Sequence, residues 1–168
     1  MQTNVVPTID LSINTTGCCP KFNPEGWDDQ TLHFDNKLFL RAVTKSLHHV
    51  PIDMGQVFAR VQERMEDIGA VEPSRAIVLS RELSESQAEH LFASDKDVPG
   101  EEMVRLNGTF ITRVFEGPYS DEVEWRAQMA ERASTLGSDH GRIFMFYTTC
   151  PTCAKAYGQN YVVGFAEI

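Results

Sequence analysis

Residues 110–137 decide the fold, and their sequence is FITRVFEGPYSDEVEWRAQMAERASTLG. The first six are mostly β-branched or aromatic, which favours a strand that ends at the turn residues Gly117 and Pro118. Ser120 is a typical helix N-cap, and apolar residues then recur near one helical face until Gly137 ends the pattern. The stretch therefore predicts a strand, a turn and a helix, in that order.

Two further strands are predicted after this helix, over 142–148 and 161–168. The same order of elements occurs earlier in the chain, displaced by about 70 residues, which is the sign of an internal duplication. The earlier elements are a strand at 39–44, a helix over 53–68 that Gly69 ends, a strand at 76–80 and a last strand within 89–98.

The duplication predicts an α+β fold in which two β-α-β-β units form one antiparallel sheet. We expect two helices on one face of this sheet and a concave, ligand-binding other face. Residues 1–35 are assigned to an N-terminal arm docked on the domain, and residues 36–168 to the domain itself. Repeat 1 covers about 36–98, repeat 2 covers about 108–168, and 99–107 is the linker.

The composition excludes some classes of function. The 168-residue chain has 15 Lys and Arg against 24 Asp and Glu, a formal net charge of −9 at pH 7. This charge repels phosphate backbones and anionic lipids, so we expect neither a nucleic-acid nor a membrane partner. Residues 1–14 contain no Lys or Arg and no long apolar run, which does not fit a secretory signal. We therefore expect a cytoplasmic protein with reduced cysteines.

All four cysteines lie in two tight pairs. Cys18 and Cys19 belong to the arm, and the sequence Cys150-Pro-Thr-Cys153 lies in a loop predicted after a strand. The CxxC spacing suits two thiolates on one metal ion such as zinc, and it also suits dithiol redox chemistry. Packed thiols without a metal are the third interpretation.

The two adjacent cysteines limit the expected metal geometry. Neighbouring side chains of an extended backbone point to opposite sides, so we expect only one of Cys18 and Cys19 to reach a shared ion. Three thiolates and one further group would then hold the metal. With His48 or His49 as the fourth group the site would be closed and structural, whereas a water ligand would leave it open to activate a nucleophile.

Five short segments carry a family resemblance: CCPKF at 18–22, PEGWD at 24–28, VFEGPY at 114–119, CPTCAK at 150–155 and YGQNY at 157–161. Together they resemble the GyrI-like small-molecule-binding domain superfamily. They are most similar to a group of small bacterial proteins within it that contain a CPxCA motif and are labelled hydrolases.

The resemblance implies a duplicated β-α-β-β domain that binds organic, often cationic or aromatic, compounds. Some relatives regulate transcription through a fused DNA-binding domain, for which this chain has no spare segment, and others hydrolyse reactive toxins. Cation-binding relatives carry a glutamate on the last strand, where this chain has Val163. A single-glutamate mechanism would therefore need Glu116 or Glu167 instead.

Three residues are candidates for catalysis. Glu116 stands between a strand and a turn, where partial burial beside Phe115 and Tyr119 would suit it as a general base, although a solvated turn carboxylate is the other interpretation. His49 occupies the equivalent turn of repeat 1 and is the alternative base, unless it is an ordinary surface histidine. Tyr147 is the tyrosine expected to steady a developing oxyanion.

Aromatic side chains are the candidates for ligand binding, with ordinary core packing as the competing interpretation. They are Tyr119, Trp27, Trp125, Tyr157 and Tyr161. A phosphate-binding glycine loop is absent from the sequence, so no nucleotide cofactor is expected.

The leading functional interpretation is binding of a small organic molecule between the two repeats, followed by hydrolysis of a detoxification type. The alternatives are a non-enzymatic binding or sensing protein and a zinc- or thiol-redox-dependent protein. A catalytic pocket should bring at least two ionisable groups together beside a cavity. The protein is expected to be a monomer or a homodimer.

Overall fold

The computed structural model describes residues 2–168, and over that range the chain is an α+β fold with antiparallel strand pairs. The predicted α+β class with antiparallel strands is therefore confirmed. The strands are β1 (Thr31–Leu47), β2 (Val50–Pro51), β3 (Val78–Ser84), β4 (Gln87–Ala93), β5 (Glu102–Glu116), β6 (Ile143–Tyr147) and β7 (Tyr161–Glu167). The helices are α1 (Met54–Asp67), α2 (Glu122–Thr135) and α3 (Pro151–Tyr157), with short 3-10 turns at Pro73–Arg75 and Tyr119–Asp121.

The described chain divides into two compact units. Unit 1 comprises residues 2–35 and 107–168, and unit 2 comprises residues 36–106. Each unit has its own cluster of buried apolar side chains. In the described part of the chain, none of the helices has both the length and the apolar character that crossing a bilayer requires.

Unit 1 is built on three antiparallel strands, with β7 paired to β5 on one side and to β6 on the other. The helix α2 packs on these strands through Trp125, Met129 and Ala133. Gly164 on β7 permits this close packing, because a Cβ atom there would lie only 2.8 Å from Cγ of Met129. The ring of Trp125 stacks on that of Phe115, with centroids 5.4 Å apart.

The N-terminal segment, residues 2–30, is anchored to unit 1 by aromatic side chains. Phe22 and Trp27 are both buried. The ring centroid of Trp27 lies 5.6 Å from that of Phe146 on β6, and that of Phe22 lies 6.0 Å from Tyr161 on β7. Burial of two large rings contributes about 2 kcal/mol or more each, which is enough to hold an otherwise irregular segment in place.

Unit 2 contains the antiparallel pairs β2–β1, β1–β4 and β4–β3. The helix α1 covers one face of these strands, where Val61 and Met65 are buried with Leu40, Ala42 and Phe92. The alternation of buried and exposed residues along β1 at 40–44 reflects this one-sided packing.

The same face of unit 2 also contains a buried polar chain, which we call the His90 chain: Thr44, His90 and Ser80. The Oγ1 atom of Thr44 lies 2.8 Å from Nε2 of His90, and Oγ of Ser80 lies 2.7 Å from Nδ1. Burial lowers the pKa of His90 to about 4, so the ring is neutral at physiological pH. The edge of the Phe58 ring closes the site, with centroids 4.8 Å apart.

Several predicted elements differ in their bounds from those observed. The strand β1 begins at Thr31, inside the segment assigned to the arm, and β5 begins at Glu102, inside the predicted linker. The predicted linker over 99–107 therefore overlaps the start of β5. The last strand of repeat 1 is β4, which ends at Ala93, well before residue 98. The helix α3 was not predicted. The duplication and the concave face stay predictions.

Candidate metal centre

The N-terminal segment presents Cys18 and Cys19 from a tight turn. Gly17 has φ +71°, a left-handed conformation that side chains rarely adopt, and its N–H donates to the carbonyl oxygen of Asn14 at 3.3 Å. Phe22 is buried just beyond this turn. The local sequence thus places two consecutive thiols at a fixed point on unit 1.

The other two thiols belong to the first turn of α3. Cys150 is the N-cap residue, Pro151 follows at the first helical position, and the N–H of Cys153 donates to Sγ of Cys150 at 3.5 Å. Gly158 ends the helix in a left-handed conformation, φ +69°. The helix geometry directs the two thiols of the CxxC sequence to the same end of α3.

These two elements bring the four thiols together in what we call the cysteine cluster. The Sγ atoms of Cys18, Cys19, Cys150 and Cys153 all lie within 4.8 Å of one another. Those of Cys18 and Cys19 are 3.7 Å apart, and all four thiols are free. Burial increases across the cluster, from the exposed Cys18 to the buried Cys153.

A polar layer joins the two elements beside the cluster. The Tyr157 hydroxyl on α3 donates to the carbonyl oxygen of Cys19 at 2.7 Å. The Thr16 hydroxyl lies 3.4 Å from the Tyr157 hydroxyl and 3.3 Å from Sγ of Cys153. The N–H of Cys150 donates to Sγ of Cys19 at 3.5 Å. The two cysteine pairs are therefore held together by hydrogen bonds as well as by proximity.

The pKa values of two thiols in the cluster are shifted in opposite directions. Burial raises the pKa of the Cys19 thiol above its ordinary value. The hydrogen bond with Thr16 lowers the pKa of the Cys153 thiol. Four thiolates at this separation would repel one another strongly, so full ionisation of the cluster requires a bound cation. The cluster is thus suited to a metal ion that supplies the missing positive charge.

The donor set fits a soft or borderline metal ion. In a regular tetrahedron with zinc–sulfur bonds of about 2.3 Å, neighbouring sulfur atoms lie about 3.8 Å apart. The 3.7 Å separation of the Cys18 and Cys19 sulfurs matches this value, and the upper limit of 4.8 Å within the cluster needs only small side-chain rotations. The four cysteines can therefore hold one metal ion.

Three predictions about the cysteines need correction. The CxxC sequence begins a helix and does not lie in a loop. Cys18 and Cys19 both reach the cluster, because the turn after Gly17 is not extended backbone. The cluster is complete with four thiols and contains neither His48 nor His49 among residues 2–168. Four thiols, where three were expected, therefore approach one another.

Two of the predicted ligand-binding tyrosines, Tyr119 and Tyr157, contact the segments that carry the cluster, and Tyr147, the predicted oxyanion donor, lies beside Tyr119. Tyr119 donates its hydroxyl to the carbonyl oxygen of Thr149, the residue before Cys150, at 2.8 Å. Burial raises the pKa of Tyr119 to about 12, so it stays a donor at neutral pH. Its ring lies 6.0 Å from that of Tyr147, and Tyr157 belongs to the polar layer.

The remaining aromatic candidates are engaged in packing. Trp27 is fully buried against Phe22 and Phe146, and Trp125 is buried in the stack with Phe115. Tyr161 is partly buried on β7. Neither tryptophan presents an open ring face for a flat ligand in this structure.

The two candidate bases lie in different units. Glu116 is exposed at the end of β5 in unit 1, as the interpretation of a solvated turn carboxylate expects. Gly117 follows it with φ +152°, and a Cβ atom there would lie 3.3 Å from the Trp125 ring. His49 is exposed in unit 2, in the tight turn between β1 and β2, and its Nδ1 lies 2.9 Å from Oε2 of Glu82. That carboxylate fixes the orientation of the imidazole.

Sequence reasoning missed Thr16, α3 and the His90 chain. The Pro151 and Gly158 pair is the usual signal of a helix that starts after a capping residue and ends at a glycine, and it could have revealed α3. No local pattern identifies the contact of Thr16 with Cys153 or that of Thr44 with His90, because these partners are 137 and 46 residues apart in the sequence.

The fold and the cysteine cluster define a class of α+β protein with a candidate four-cysteine metal centre. Residues 9–168 match the family described as Bacterial hydrolase, so the chain belongs to that family. A comparison with curated proteins finds no match. The matched range includes all four cysteines and both units.

Proposed function

We propose that the cysteine cluster binds one Zn²⁺ ion as a closed, structural site. The observation that carries the proposal is the approach of all four sulfur atoms to within 4.8 Å of one another. Four thiolates fill the coordination positions of tetrahedral zinc, which is the pattern of structural sites, whereas catalytic sites keep one position for water. The ion would therefore stabilise the fold and not activate a nucleophile.

The position of the cluster supports a stabilising role. Cys18 and Cys19 come from the N-terminal segment, and the other two ligands come from α3, so a shared ion would link two parts of unit 1 that are far apart in sequence. The N–H groups of Cys150 and Cys153 donate to Sγ of Cys19 and Cys150, which holds these sulfur atoms in place within the cluster. A reducing compartment keeps such thiols available, so we assign the protein to the cytoplasm.

Metal analysis tests this proposal directly. Protein purified without chelator should contain one zinc per chain, and Cys150→Ser and Cys153→Ser should each lose it. Ser86→Ala removes an exposed hydroxyl in unit 2 and is the matched control, which should keep the metal. Wild-type protein without zinc, after refolding in excess zinc under reducing conditions, would overturn the proposal.

Thiol-redox chemistry is the alternative function of the four cysteines. The rate of thiol alkylation distinguishes it from zinc binding. A redox site needs an accessible attacking thiolate, but the thiols of the CxxC sequence are only partly exposed at Cys150 and buried at Cys153. We expect slow alkylation of the zinc-loaded protein and fast alkylation after chelation. Fast reaction of one thiol with zinc still bound would favour the redox interpretation.

Hydrolysis of a small organic molecule is the second candidate function, and membership of the Bacterial hydrolase family over residues 9–168 favours it. In this proposal Glu116 or the His49–Glu82 pair activates a water molecule and a tyrosine stabilises the oxyanion. A panel of esters and reactive electrophiles should be turned over by the wild type and more slowly by Glu116→Gln or His49→Gln.

The same panel distinguishes the enzyme from a binding protein. Equal turnover by the wild type and Glu116→Gln would remove that residue as the base. Binding of panel members without turnover would identify a non-enzymatic binding or sensing protein and overturn hydrolysis. Sedimentation of the zinc-loaded protein would decide between the expected monomer and homodimer.

A further inference from the structure

Unit 1 contains a cleft of about 240 Å³ that none of the four cysteines lines. Its lining residues are Asp28, Asp29, Thr112, Arg113 and Arg132. We propose that this cleft binds a small monocarboxylate that carries an amine or hydroxyl donor close to its carboxylate. The inference concerns a site separate from the cysteine cluster and does not depend on metal binding or on hydrolysis.

The walls of the cleft are fixed by backbone pairing along the edge of β5. The N–H of Asp29 donates to the carbonyl oxygen of Thr112 at 3.1 Å, and the N–H of Thr112 donates to that of Gln30 at 2.9 Å. Oδ1 of Asp28 accepts the N–H of Val114 at 2.8 Å. The N-terminal segment therefore forms one wall and β5 forms the floor, both with little freedom to move.

The two arginines supply positive charge from different elements. Arg113 lies two residues before Phe115 on β5, and its guanidinium carbon is 5.8 Å from the centroid of that ring. Within residues 2–168, Arg113 makes no ion pair with a carboxylate. Arg132 extends from the last turn of α2, and its Nε atom is buried without a hydrogen-bond partner in the described chain. The Arg113 guanidinium thus has donors available for a ligand, and the Arg132 guanidinium, whose side chain is 41% exposed, adds positive charge beside it.

Each of the two aspartates keeps hydrogen-bonding capacity for a ligand. Asp29 forms an ion pair with Arg132, but its side chain is 72% exposed, so the pair contributes little and a ligand can compete with it. Asp28 uses one oxygen for the Val114 N–H, and the other is left for a ligand donor. Asp29 also has φ +54°, a sparsely populated conformation that is concentrated at ligand and active sites.

The charge pattern selects the ligand class. Guanidinium groups recognise carboxylates through paired, charge-assisted hydrogen bonds. Two carboxylates beside them repel polyanions such as phosphate and accept hydrogen bonds from an ammonium or hydroxyl group. The volume equals that of about eight water molecules, which suits a molecule of the size of L-serine.

The test is an NMR titration of the full-length protein with L-serine, followed at the backbone amides. We expect shifts at Asp29, Gln30, Thr112 and Val114, with a dissociation constant at or below about 1 mM. Acetate, which lacks the donor, and inorganic phosphate should each bind at least about tenfold more weakly.

Variants test separately the contact of Arg113 with the ligand carboxylate and the contact of Asp28 with the ligand donor group. Arg113→Gln should weaken binding of both L-serine and acetate by about tenfold, and Arg113→Lys should restore part of it. Asp28→Asn keeps the acceptor for the Val114 N–H, so it should weaken L-serine binding and leave acetate unchanged. The control is Arg75→Gln, which changes an exposed arginine of unit 2 and should alter neither affinity.

Three outcomes would overturn the proposal. The first is the absence of shifts in the cleft with L-serine at millimolar concentration. The second is equal affinity for L-serine and phosphate, which contradicts the role of the two aspartates. The third is unchanged L-serine binding in folded Arg113→Gln protein.

Discussion

The polar clusters of the two units differ in whether their members satisfy one another's hydrogen-bonding groups. In unit 2 the His90 chain is complete in itself, because each ring nitrogen of His90 has one hydroxyl partner at 2.8 Å or less. In unit 1 the cysteine cluster offers four sulfur atoms whose contacts with one another are long and weak. One cluster satisfies its own hydrogen-bonding groups, and the other is a set of four thiols that could hold a metal ion.

This difference separates a structural cluster from a binding site. A buried polar network whose members pair with one another stabilises one arrangement of the core and needs no ligand. A set of thiols that cannot all ionise unless a cation is present indicates a metal. Metal removal is therefore expected to destabilise unit 1 and to leave unit 2 unchanged. Four experiments test this difference between the units.

Metal removal should have the largest effect, and only on unit 1. Chelation of the zinc-loaded protein should lower the free energy of unfolding by about 4 kcal/mol or more, because zinc binds the folded cluster far better than the unfolded chain. This corresponds to a fall in the melting temperature of about 10 °C. Chelator should have no effect on Cys153→Ser. Equal melting temperatures of the wild type with and without chelator would contradict the proposed site.

Disruption of the His90 chain should cause the second largest loss in the free energy of unfolding. His90→Ala leaves a cavity and two buried hydroxyl groups, those of Thr44 and Ser80, without their partner, so we expect a loss of about 3 kcal/mol in denaturant unfolding. Zinc content should be unchanged. The control is His140→Gln, which alters an exposed histidine. Loss of zinc in His90→Ala would show that the two clusters are not independent.

Acid should destabilise the protein through the same histidine. The pKa of His90 is lowered to about 4 by burial, despite opposing effects of the Glu89 and Asp53 charges, whereas an unfolded histidine titrates near its ordinary value. The unfolded state binds more protons in this window, so stability falls as pH drops, by about 2 kcal/mol between pH 7 and 5. Denaturant curves of wild type and His90→Gln should show this slope only in the wild type.

The smallest effect is expected from the polar layer beside the cysteines. Tyr157→Phe removes the hydroxyl that donates to the carbonyl oxygen of Cys19, which should cost about 1 kcal/mol, or about 3 °C in melting temperature. Tyr161→Phe is the matched control on β7. A larger effect for the control would show that Tyr157 does not hold the cluster together.

The sequence located α1, α2 and parts of most strands, and it pointed to the cysteines as candidate metal ligands. Alternating β-branched and aromatic residues located β5 and β6, and the glycines at 69 and 137 marked the ends of α1 and α2 within two residues. The pairing of all cysteines in two short segments identified the candidate metal ligands before their separation was known. These features are local, so a single sequence displays them.

The geometry of the site depended on contacts between distant residues. The turn at Gly17 carries Cys18 and Cys19, and Thr16 joins this turn to Cys153 and Tyr157, which lie more than about 100 residues away along the chain. The cleft at Arg113 and Arg132 likewise forms only when β5, α2 and the N-terminal segment come together. No periodicity in the sequence contains that information.

The insertion of unit 2 between the two segments of unit 1 has a consequence for biosynthesis. During translation Cys18 and Cys19 leave the ribosome before residues 36–106, and the CxxC pair is made only after them. Unit 2 can therefore fold before Cys150 and Cys153 are synthesised. Once formed, a link between Cys19 and Cys150 would close a loop that contains the whole of unit 2, and such long loops give the largest reduction in unfolded-state entropy. Metal capture would thus be a late step that follows the folding of unit 2.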